Sequence, residues 1–75
     1  MAYLRRIAGL ITDSTDYVVL AKGRERDTYE LGAKLQRAGS PYAGIVVHGD
    51  IEKARKIAHQ TAAELGVSII YEMIA

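Results

Sequence analysis

At 75 residues, with a formal net charge of +1 and no cysteine, the chain is limited to one domain without disulfides or zinc–thiolate sites. It lacks the strong basic excess that marks most nucleic-acid binders. Its 49% hydrophobic and 25% charged content is that of a folded globular chain rather than a disordered one. The longest uncharged apolar stretches, Ile45-Val46-Val47 and Val67 to Tyr71, are too short to cross a bilayer. No long apolar segment follows Arg5-Arg6, so no signal peptide is expected. The absence of cysteine suits a reducing cytoplasm, and a cytoplasmic location is expected.

The first eleven residues fit two patterns. Leu4, Ile7 and Ile11 have helical spacing, whereas Ile7–Thr12 followed by Thr12-Asp13-Ser14-Thr15-Asp16 reads as a strand and a turn. The turn chemistry favours a hairpin into Asp16–Lys22, a β-rich run holding Tyr17-Val18-Val19-Leu20. From Asp27 to Ala38 the spacing predicts a helix. Asp27 and Glu30 have capping-box separation, and Thr28, Leu31, Leu35 and Ala38 form a thin stripe. Gly32 costs that helix about 1 kcal/mol relative to Ala. Gly39-Ser40-Pro41 ends it.

Tyr42–His48 is apolar on both parities at Ile45-Val46-Val47, which predicts a central strand covered on both faces. Asp50–Leu65 is the clearest helix. Ile51, Ala54, Ile57, Ala58, Ala62 and Leu65 share a stripe, Asp50 is the expected N-cap and Gly66 the expected left-handed terminator. Val67–Ile74 reads as a strand, with Ser68, Ile70, Glu72 and Ile74 on a half-apolar face. The expected fold is a small single α/β domain over residues 1–75 in β-β-α-β-α-β order, with a three- to four-stranded mostly parallel or mixed sheet and two helices.

In such a sheet, ligands bind beyond the carboxyl ends of strands. Two loops are expected there, Lys22 to Asp27 and His48-Gly49-Asp50. Lys22, Gly23, Arg24, Arg26, His48 and Gly49 make a candidate anion site, for a phosphate, a nucleotide or a nucleic-acid backbone. Asp27 and Asp50 oppose that charge, and neither loop matches G-x-G-x-x-G or a phosphate loop. His48 has no nucleophile partner, and with Asp50 it supplies only two metal ligands. No catalytic set, cofactor or metal is therefore expected. His59 falls on the helix face shared by Arg55 and Lys56, outside the apolar stripe.

All five aromatic residues are tyrosine, a residue favoured at half-buried and interface positions. Ile70 and Ile74 are candidate contact residues on the sheet face left open if both helices pack on the other, and Tyr17 and Tyr71 are candidate contact residues on their strands. The sequence thus points to a non-enzymatic binding module (regulator, adaptor or stoichiometric inhibitor) that acts through protein–protein contacts as a homo-oligomer. The alternatives are an anion- or nucleotide-binding domain using the two loops, and a nucleic-acid-binding protein. No membrane association is expected.

Overall fold

The structure, a computed structural model, describes residues 2–11, 15–35 and 40–74, with residues 40–43 described by backbone alone. The described residues form five strands and a single helix: β1 (Tyr3–Ile7), β2 (Tyr17–Lys22), β3 (Thr28–Leu35), β4 (Ser40–His48), α1 (Ile51–Leu65) and β5 (Ile69–Met73). The sheet order is β1-β5-β2-β3-β4. β5 runs parallel to β1 and β2, whereas β3 is antiparallel to both β2 and β4.

The element order and strand count correct the expected β-β-α-β-α-β arrangement. The predicted helix from Asp27 is β3. Asp27 has φ 56°, not a helix-cap conformation, and Gly23 N–H donates to the Thr28 carbonyl at 2.9 Å, closing a β2–β3 hairpin. Leu31 and Leu35 belong equally to a helical stripe and to the alternation Tyr29, Leu31, Ala33, Leu35. The latter lies over the core. Thr28 and Tyr29 favour strand, Gly32 disfavours helix, and pairing on both sides settles the choice. Ala38 and Gly39, the expected end of that helix, lie outside the described residues.

The expected β1–β2 hairpin is also absent among the described residues, because β5 separates the two strands. Tyr3 N–H bonds the Ser68 carbonyl and Ile74 N–H bonds the Ile7 carbonyl, which ties β1 to β5 at both ends. The expected turn residues Thr12, Asp13 and Ser14 lie outside the described residues.

Helix α1 forms as the sequence requires. The Asp50 carboxylate accepts the Lys53 N–H at 2.9 Å, and Gly66 ends the helix at φ 69°. Ala54, Ala58 and Ala62, four residues apart, are fully buried. Their small side chains let the helix approach Val18, Leu20, Leu31 and Ile70, the largest fully buried side chains. Burying each contributes about 1.5–3 kcal/mol. Ile70 therefore lies beneath α1, not on the uncovered face where the sequence reading placed it.

β4 and β5 exchange their expected roles. β4 is a sheet edge rather than a central strand covered on both faces, with Ile45 39% and Val46 57% exposed. β5 is central, and Ile70, Tyr71 and Glu72 are all buried. Tyr71, which points to the face opposite α1, is only 6% exposed.

Candidate functional site

The hairpin brings the two predicted loops together. Gly49 N–H donates to the Asp27 carbonyl at 2.8 Å, and His48 sits opposite Thr28 in the β3–β4 register. The Thr28 hydroxyl donates to the Glu25 carbonyl at 2.6 Å, folding the loop back on itself. A Cβ at Gly23 would collide with the Thr28 side chain, so this close approach requires glycine. Gly49 has φ 136° and passes close to the Lys53 side chain.

Between these loops lies a cleft of about 340 Å³, lined by Gly23, Arg24, Glu25, Thr28, Glu30, Val46 and His48. Of the predicted anion-site residues, Gly23, Arg24 and His48 line it. Arg26 is exposed in the loop, and Gly49 supports the cleft through its bond to Asp27. Lys22 shares the helix-side parity of Val18 and Leu20. It lines a different cleft of about 320 Å³ with Leu20, Tyr29, Ile51 and Glu72. The predicted cation cluster is thus divided. Arg24 and His48 face Glu25 and Glu30, two carboxylates that the sequence reading did not place. Their position follows from the hairpin, which puts Glu30 opposite Val46. Among the described residues, no three His, Cys, Asp or Glu side chains are grouped to hold a metal ion.

On the helix side, Glu72 is the buried charge. Arg55 Nε donates to one carboxylate oxygen at 2.7 Å and Arg55 Nη2 to the other at 3.0 Å, while Arg6 Nε lies 3.4 Å away. The bidentate Arg55 bond, with the charges of Arg55 and Arg6, holds the Glu72 carboxyl below its ordinary range against the opposing effect of burial. Arg55 therefore clamps α1 to the central strand rather than simply facing water. Its partner lies 17 residues away, so helical periodicity alone does not reveal the pair.

Tyr17 and Tyr71 pack edge to face, with centroids 5.4 Å apart and planes at 75°. They share the face opposite α1, and Ile74 is exposed beyond the end of β5. On the β2–β3–β4 part of the same face runs a groove of about 370 Å³. Val19, Ala21, Glu30, Gly32, Gly44 and Val46 contribute to it. Gly32 and Gly44 have no side chains to fill the space between Val19 and Val46. Among the described residues, no helix is long and apolar enough to cross a membrane. Compared with protein-family models, curated proteins and solved structures, the chain matches none.

Proposed function

We propose that the chain is a non-enzymatic binding module, acting in the cytoplasm through protein–protein contacts and as a homo-oligomer. The observation that carries this reading is the glycine-floored groove between Val19 and Val46, on sheet surface that α1 does not cover. It adjoins an edge strand with no charged side chain between Ser40 and Val47. Such a surface suits an extended peptide segment. Apolar side chains of that segment enter the groove. The Arg24–His48 cleft suits a simple anion less well, because Glu25 and Glu30 share its walls.

Gly32 gives a direct test. A Cβ there would meet only the Val19 side chain, at an ordinary 3.5 Å. Gly32→Val should therefore keep the fold while filling the groove. A displayed random-peptide library selected against the chain should yield extended binders that shift the NMR signals of Val19, Gly32 and Val46. Gly32→Val should abolish that binding. Binders that leave these signals unmoved, or that bind Gly32→Val equally well, would count against the groove.

A further inference from the structure

We propose that two copies of this chain pair through their β4 edges, in antiparallel register with Val46 opposite Val46 of the second copy, to form one ten-stranded sheet. The inference rests on the oligomeric part of the reading above and names the surface and the partner.

Backbone geometry shows which groups of β4 point away from β3. The Gly49-to-Asp27 bond makes Thr28–His48 a pair without mutual hydrogen bonds. Alternation then turns the backbone groups of Val47 and Ile45 toward β3. Those of Val46 and His48 point off the edge. A two-fold axis at Val46 lets the two copies of this residue exchange both bonds. Ile45 then meets Val47 of the second copy, and His48 meets Gly44, the residue with most room for a ring. The segment Ile45-Val46-Val47 is self-complementary in this register, and Ile45 and Val46, 39% and 57% exposed, each gain an apolar cross-strand neighbour.

Charge selects this edge over the other. β1 carries Arg5 and Arg6 within five residues. A centred antiparallel self-pairing of β1 sets Arg5 against Arg5, an opposition that destabilises sheets. Pairing β1 of one copy with β4 of the next leaves a free edge at each end and grows without closing. Only β4 with β4 is both uncharged across the contact and closed at two copies.

The contact is one strand pair, so the dimer belongs to the weak, concentration-dependent class. Sedimentation of the full chain over a concentration series should show 8.2 kDa units approaching twice that mass. Val46→Lys should remain monomeric throughout, and Arg5→Glu on the opposite edge should still dimerise. Amide hydrogen exchange on the unaltered chain provides a second readout that no misfolded variant can confuse. The Val46 and His48 amides should gain protection as concentration rises. A monomer at every concentration would overturn the pairing and leave the groove to its own peptide test. A dimer with unprotected Val46 and His48 amides, or growth into filaments, would overturn it as well.

Discussion

The two halves of the sheet are built differently. In the β1–β5–β2 half the strands are parallel and β5 is buried on both faces, with α1 on one side and the Tyr17–Tyr71 pair on the other. In the β2–β3–β4 half the strands are antiparallel, joined in sequence, and covered progressively less toward β4. One helix is too narrow to cover five strands, and its alanine stripe is spent over β2 and β5. The parallel half therefore holds the fold together, and the antiparallel half presents surface. Parallel strands demand burial on both faces, whereas antiparallel strands tolerate one open face, so the division follows from the pairing itself.

The sharpest way to break this comparison is to create a cavity under α1. Ile70→Ala should cost about 3 kcal/mol, because a fully buried side chain is lost from a site the neighbouring alanines cannot refill. Urea denaturation should show this as a lower midpoint with an unchanged slope. A loss under about 1 kcal/mol would mean that the parallel half is not the stabilising one.

The ion pair sharpens the same point with an asymmetry. The Glu72 side chain is 7% exposed, whereas those of Arg55 and Arg6 are 37% and 63% exposed. Removing Arg55 leaves a buried carboxylate with only the exposed Arg6, 3.4 Å away, and without its bidentate hydrogen bonds, so Arg55→Ala should cost about 2–3 kcal/mol. Glu72→Gln frees two arginines that already reach water, and should cost less, about 1–2 kcal/mol. The Glu72 carboxyl is held below its ordinary range in the folded state. Its stabilisation is therefore present above the unfolded value of about 4.3 and is lost as pH falls through the folded value. Between pH 7 and strongly acidic conditions, Glu72→Gln should lose less stability than the unaltered chain. Parallel losses in the two proteins would remove Glu72 from the acid response.

The caps of α1 come next in size. Asp50→Ala removes the acceptor for Lys53 N–H and should cost about 1 kcal/mol in thermal unfolding. These caps also explain what was legible in the sequence. Asp50, Gly66 and the alanine–isoleucine stripe are local signals, and α1 with its flanking strands follows from them. The β3 segment was not legible in the same way, since Leu31 and Leu35 satisfy both helical and strand periods. β5 misled for a different reason. Glu72 looks like a solvent-facing alternation until Arg55 and Arg6 are seen around it. The two loops do meet, yet antiparallel adjacency joins them rather than parallel strand ends, so Lys22 and Arg26 fall away from the cleft while Glu25 and Glu30 enter it.

The smallest expected effect is the most discriminating for the antiparallel half. Val46 is 57% exposed on the free edge, so in dilute solution Val46→Ala should change stability by under about 0.5 kcal/mol. A binding equilibrium that favours the folded state adds stability with concentration. If β4 is a contact edge, the melting temperature of the unaltered chain should rise on concentration, and that of Val46→Ala should rise less. The two chains then coincide when dilute and diverge when concentrated. A core residue behaves otherwise, since Ile70→Ala should lower both ends of the series equally. Divergence on concentration is thus the signature that separates a strand held for contact from one held for stability.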